Sequence, residues 1–170
     1  PTTEDWFGFS IYRYKQQDAH QYGSEVKLSL KPEKDLHLFA NYEGMISKTE
    51  DGNFTPYIPA QKLASGMSYT FHLKRLNDIH VSTEVDHYFA QNNLAPNEIS
   101  TGQYTLWNIG TSTSFHSGEN TYNVSIAGNN LLNTAYYDHL SRFKYFGLLN
   151  IGRNLSVTFK ALFQGKVDTK

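Results

Sequence analysis

Alternation is the feature that most constrains this chain. Eight stretches, at about 6–15, 21–31, 36–48, 62–74, 79–91, 103–116, 121–132 and 153–163, carry apolar side chains at every second position. Successive side chains of a strand point to opposite faces, so a period of two makes one face apolar and the other polar. Helical spacing is nearly absent. In the second stretch Tyr22, Val26, Leu28 and Leu30 oppose Gly23, Glu25, Lys27 and Ser29. In the last, Leu155, Val157, Phe159, Ala161 and Phe163 oppose Asn154, Ser156, Thr158 and Lys160. The expected fold is all-β: an antiparallel up-and-down meander of about eight long strands.

Length and spacing sharpen that expectation. The strands run about ten to fourteen residues, against a usual five or six. From the second strand on, connections alternate: short at 32–35, 75–78 and 117–120, long at 49–61, 92–102 and 133–151. A barrel through a bilayer needs both features. Tilted strands of about 9–11 residues cross the hydrocarbon, with short turns on one side and long loops on the other. The polar face is Gly, Ser, Thr, Asn, Glu, Lys and His, which suits a wet lumen. The apolar face is Leu, Val, Ile and Phe, with Tyr or Trp toward strand ends, which suits lipid and its aromatic girdles. The meander is therefore expected to form part of a larger transmembrane β-barrel. A soluble antiparallel sheet, as in a carbohydrate-binding or adhesion module, is the alternative reading of the same pattern.

Composition excludes several classes. Fifteen basic residues balance 16 acidic ones, and no basic stripe supports nucleic-acid binding. There is no Cys, hence no disulfide framework, thiolate metal site or cysteine nucleophile. No apolar run approaches a membrane helix of about 18 residues, and no signal peptide is visible at Pro1. Aromatics make up 15%, with 12 Tyr and 11 Phe, a supply suited to half-wet positions. Neither a G-x-S-x-G elbow nor a phosphate loop is present, and an enzyme is not expected.

Candidate metal ligands come from His and carboxylates, which suit Zn or Fe. Alternation puts His37, His72, His80 and His116 on the polar face with Glu25, Glu43, Glu84 and Asp86. His20 and the pair Asp138-His139 fall in or near long loops, where a substrate first docks. The candidates retained are His37, His80, Glu84, Asp86, Asp138 and His139. Each has a plainer role open to it: solvation for the strand residues and a loop anchor for His139. No HxxxH spacing is present. Arg142, Lys144 and Arg153 flank the third long loop and could attract an anionic chelate, or simply keep the loop soluble. Tyr136, Tyr137, Tyr145 and Phe146 could stack on a ligand, or belong to the outer aromatic belt. No resident cofactor is expected.

Several motifs together resemble the TonB-dependent outer-membrane receptors. The first is Ala19 to Glu25, which is similar to that family's A-x-x-x-G-x-E strand opening. Asn41-Tyr42 followed by Ile58-Pro59-Ala60 resembles its loop step, and Gly102 with Tyr104-Thr105-Leu106 its G-Y-T-L start. Asn130-Leu131-Leu132-Asn133 with Tyr137, then Gly152-Arg153-Asn154 before a strand ending at Phe163, resemble its closing signature. The resemblance implies a plugged barrel of about 22 strands, with residues 1–163 as its C-terminal part and 164–170 as a tail. It implies a place in the outer membrane of a Gram-negative bacterium, with lipid around the wall. It also implies a plug domain and TonB box outside this chain, and energy-coupled import of a metal ion or metal complex. Ala95-Pro96-Asn97-Glu98 with Gln17-Asp18-Ala19 resembles the zinc-uptake branch, and Asp138 to Arg142 resembles metal- or siderophore-type members.

Overall fold

The computed structural model describes residues 5–10, 16–73 and 77–163. Its centre is one seven-stranded antiparallel sheet: β3 (Ala19–Glu33), β4 (Leu36–Thr49), β5 (Lys62–Phe71), β6 (Ile79–Tyr88), β7 (Tyr104–Ser117), β8 (Asn120–Asn129) and β9 (Asn154–Leu162). Each strand pairs with the next in sequence, so the meander expected from alternation is the fold. The first expected strand, 6–15, departs from that. The chain reverses at Phe7-Gly8 (φ 51° and 82°), giving a two-residue hairpin of β1 (Asp5–Trp6) and β2 (Phe9–Ser10). The rest of that stretch, 11–15, and the 164–170 tail lie outside the described residues.

Register fixes which side chains share a face. Tyr22 pairs with Ile46, Leu30 with Leu38, Leu38 with Met67, and Met67 with Thr83. Thr83 continues to Ile109, while Thr111 pairs with Ile126 and Ile126 with Val157. The apolar face therefore runs unbroken across all seven strands. Its aromatics gather toward strand ends. Tyr22, Phe89 and Trp107 lie toward the long loops, and Tyr69, Phe71, Phe115, Tyr122 and Phe163 toward the short turns. Tyr122 stacks on Phe115 at 5.2 Å and meets Phe163 edge-on at 6.4 Å.

Among the described residues no second layer covers this face. Leu28, Leu155 and Val157 remain 62%, 73% and 73% exposed, and the buried apolar residues among those described are Ala64, Ala95 and Tyr104. A compact protein of 19.4 kDa exposes about 8,500 Å²; this chain exposes 12916 Å². Among the described residues, β3 and β9 each leave one edge without a partner strand in the sheet. Near the turn end of β3 the register slips between Leu30 and Glu33, where Pro32 sits. Proline cannot donate to a ladder and is tolerated at such edge bulges.

The polar face has one close fit of its own. Phe39 pairs across β4–β5 with Gly66, and its ring reaches the space a side chain there would fill. A Cβ at Gly66 would stand 2.5 Å from the Thr83 carbonyl oxygen and 2.7 Å from the Phe39 ring. Gly66→Ala is expected to lower sheet stability by about 1–3 kcal/mol, the usual cost of overpacking. Gly102→Ala, where a Cβ meets nothing within 4 Å, is expected to stay within about 0.5 kcal/mol of wild type. Denaturant unfolding of both variants in micelles checks the contrast.

Candidate functional site

The connections 50–61, 89–103 and 130–153 leave the same end of the sheet and bind one another. Local sequence shapes each. In the third, Asn130 and Asn133 adopt left-handed φ of 49° and 53°, which asparagine tolerates better than most residues. The Asn130 side chain accepts from the Thr134 N–H at 2.9 Å and donates to the Thr134 carbonyl at 3.0 Å. Asn133 Oδ1 accepts the Arg153 N–H at 3.0 Å, and a Cβ on Gly152 would fall 2.8 Å from that oxygen. The Asn-Leu-Leu-Asn and Gly-Arg-Asn motifs are thus two halves of one clasp joining the loop's ends.

The three loops share a single carboxylate. Glu98 accepts backbone N–H groups from Tyr57 of the first loop, at 3.1 Å, and from Ala95 of its own, at 3.2 Å. From the third loop, His139 Nε2 faces Glu98 Oε1 at 3.0 Å and Lys144 Nζ lies at 3.6 Å. The side chains of His139 and Lys144 are 1% exposed and that of Glu98 3%. Lys144 projects from a short 3-10 helix, Arg142–Phe146, whose N-cap Ser141 accepts the Phe143 N–H. Its Nζ donates to the His139 carbonyl at 2.8 Å and approaches His139 Nδ1 at 3.3 Å. Lysine has donors alone, so Nδ1 is an acceptor and the ring proton belongs on Nε2, toward Glu98. Thr101 Oγ1 completes the ring's surroundings, 3.0 Å from Nδ1.

Burial and neighbours set the protonation of this cluster. Burial depresses the His139 imidazolium, Lys144 adds to that, and Glu98 opposes. Burial likewise lowers Lys144, against the pull of Glu98. Burial pushes the Glu98 carboxyl up, but the Ala95 and Tyr57 N–H groups, with His139 and Lys144, outweigh it and hold it below its ordinary range. The cluster is a neutral imidazole between one anion and one cation.

The other sequence candidates are spread along the molecule. His37 lies on β4 with its Nε2 2.7 Å from Ser29 Oγ, and His80 on β6 with its Nδ1 3.3 Å from Thr70 Oγ1. Glu84 and Asp86 share the polar face of β6. Asp86 pairs with Lys62 at 2.8 Å and accepts from Asn108 at 3.2 Å. His72 bridges Asp35 and Asp78 near the short turns, 2.9 Å from each, and those two carboxylates raise its pKa. Asp138 accepts the Leu140 N–H two residues on, at 2.8 Å, in a local turn. Tyr137 donates to the Gly147 carbonyl, and Tyr136 stacks on Tyr104 at 4.4 Å, which stacks on Tyr88 at 4.5 Å. Among the described residues no three His, Asp or Glu side chains converge as a metal site.

Arg142, Tyr145 and Phe146 line an open cleft of about 970 Å³ beside the cluster, with Phe54, Tyr57 and Asn97. Tyr57 is held at φ 58°, a strained value for a bulky residue. The bond from its N–H to Glu98 fixes it there, with the Arg142 guanidinium 5.8 Å from its ring centre. Sequence reasoning did not single out Glu98 or Tyr57 as site residues. The one local signal is their neighbours: Asn97, also left-handed at φ 66°, and Pro56.

No protein-family model matches this sequence, and no curated protein matches it. No helix among the described residues is long and apolar enough to cross a membrane.

Glu98→Gln leaves Lys144 buried without its anion and is expected to weaken the loop cap by about 3–5 kcal/mol. Glu98→Gln with Lys144→Met removes both charges and is expected to recover most of that loss. Hydrogen exchange at the amides of Tyr57 and Ala95 reads both. Acid should loosen the cap in the wild type. His139 and Glu98 are both depressed in the fold, so the unfolded loop takes up protons first. Protection is expected to be full above the ordinary histidine value of 6.5 and to fall as pH drops below it, with a further loss below 4.5. Protection that is flat from pH 8 to pH 4 would contradict this account.

Proposed function

We propose that this chain is wall and outer loops of an outer-membrane β-barrel, the C-terminal part of a TonB-dependent receptor that imports a metal ion or metal complex. The observation that carries the membrane part is the apolar face: it spans seven strands, ends in aromatics on both sides, and has no layer of described residues over it. Exposed apolar patches on soluble monomers rarely exceed a few hundred Å². Strands of 9–15 residues match a tilted crossing of the hydrocarbon. The two unpaired edges are what a segment of a larger closed wall presents, since closure is what removes edges. The receptor assignment is supported by the motif order from Ala19 to Phe163, and metal cargo by that resemblance together with the carboxylates and imidazoles on the wet face. In this reading the loops capture ligand outside, and coupling to TonB belongs to a plug beyond this chain.

The chain has no native cysteine, so single cysteines report cleanly. A fluorophore at Ile109→Cys or Val157→Cys is expected to be quenched by spin-labelled lipid in vesicles and shielded from iodide. At Ser82→Cys or Ser156→Cys the two quenchers should swap. Iodide quenching at all four sites, in a chain that stays monodisperse without detergent, would replace this reading with the soluble sugar-binding or adhesion module. Val157→Arg is expected to cost insertion about 2–4 kcal/mol, whereas Ser156→Arg should be tolerated.

A further inference from the structure

The cleft on the loop cap has a chemistry that the import reading does not use. Its walls carry four aromatic side chains: Phe54 and Tyr57 from the first loop, Tyr145 and Phe146 from the third. Phe146 is 77% exposed and offers the most open ring. Tyr57 and Tyr145 are about two-fifths exposed, with Arg142 and Lys144 over the Tyr57 ring at 5.8 and 5.9 Å and Lys144 over the Tyr145 ring at 5.4 Å. Between the rings stand planar polar groups: the Asn97 amide, the Arg142 guanidinium and, at the rim, Gln17 donating to Asp51 at 2.6 Å. Charge nearly cancels. Arg142 offsets Asp51 at the surface, and Glu98 is offset by Lys144 behind it. Such a lining gives no net field to draw in an anion or a cation. It offers flat apolar faces and, beside them, donors and acceptors in fixed planes. The cleft's volume falls at the upper end of the range, about 300–1,000 Å³, that encloses a small organic ligand.

We propose that this cleft binds a short neutral oligosaccharide. Sugar rings present C–H faces that pack on aromatic rings, and equatorial hydroxyls that both donate and accept. Phe146 supplies the open face, and the exposed part of Tyr57, already carrying Arg142 over its ring, forms the opposite wall. Asn97 and Arg142 supply the hydroxyl partners. The strained backbone of Tyr57 keeps one platform pre-set, which lowers the ordering cost of binding. Its anchor, the Glu98 carboxylate, is shared with His139 and Lys144, so the platform is built on the buried cluster and not on a free loop tip. The site belongs to the loop cap and stands whether or not the sheet lies in a membrane.

The test uses the full chain in vesicles, titrated with three neutral trisaccharides: maltotriose, cellotriose and triacetylchitotriose. Calorimetry is expected to show saturable binding of at least one. Phe146→Ala, at an exposed position where folding is not at stake, should weaken it at least about tenfold, near 1.4 kcal/mol. Phe146→Trp should keep it. No saturable binding by any of the three, or unchanged affinity in Phe146→Ala, overturns the proposal. Lipid quenching at Ile109→Cys and Val157→Cys is read on parallel samples. Normal quenching without sugar binding sinks the cleft alone. Sugar binding by a chain that ignores lipid sinks the membrane wall and leaves the cleft standing.

Discussion

One uncovered surface governs this structure. Seven strands place their apolar side chains on the same side, and no second layer of described residues lies over them. A soluble fold gains most of its stability by burying such side chains against a second layer. Here the ladder of backbone hydrogen bonds holds the sheet together while the apolar face waits for an environment. That explains why the polar face is lined by small residues and why a close fit such as Phe39 over Gly66 occurs there. The polar side must pack locally, residue by residue, because no layer of described residues lies above it either.

The loop cap solves the opposite problem. It has no apolar core of its own beyond Ala95 and the Tyr88–Tyr104–Tyr136 stack at its base. It is organised instead around buried charge. Taking Glu98 and Lys144 out of water costs several kcal/mol each, and the cap offsets this by giving both groups polar partners. Two backbone N–H groups point at the carboxylate, and two atoms of His139 face the ammonium group. Polar networks of this kind gain from a low local dielectric when complete and lose heavily when one member is removed.

The sequence made the sheet legible. A period of two is a strong signal over ten or more residues, and register then follows because a one-residue slip would turn a whole strand inside out. Leu30 facing Leu38, or Phe115 facing Tyr122, could be anticipated from alternation and short turns. The first stretch misled because Phe7, Phe9 and Ile11 alternate correctly. The turn at Phe7-Gly8 depends on positive φ, for which Gly8 was the one cue. The loop cap was hardly legible at all. His139 was noticed for its chemistry, yet its partners Glu98 and Thr101 lie about forty residues away, and no local pattern records a tertiary ion pair. Tyr57 was invisible for a related reason: its strain is imposed by an acceptor on another loop.

The shared carboxylate also bears on how such a surface can diversify. Exterior segments ordinarily drift in length and composition almost independently, because each fails or succeeds alone. Here three of them converge on Glu98, so an insertion in any one must leave that meeting point in place or displace the other two. The freedom to vary is pushed outward to the tips, while the stems inherit one another's constraints. A lineage of such chains would carry hypervariable crowns on stems that change together.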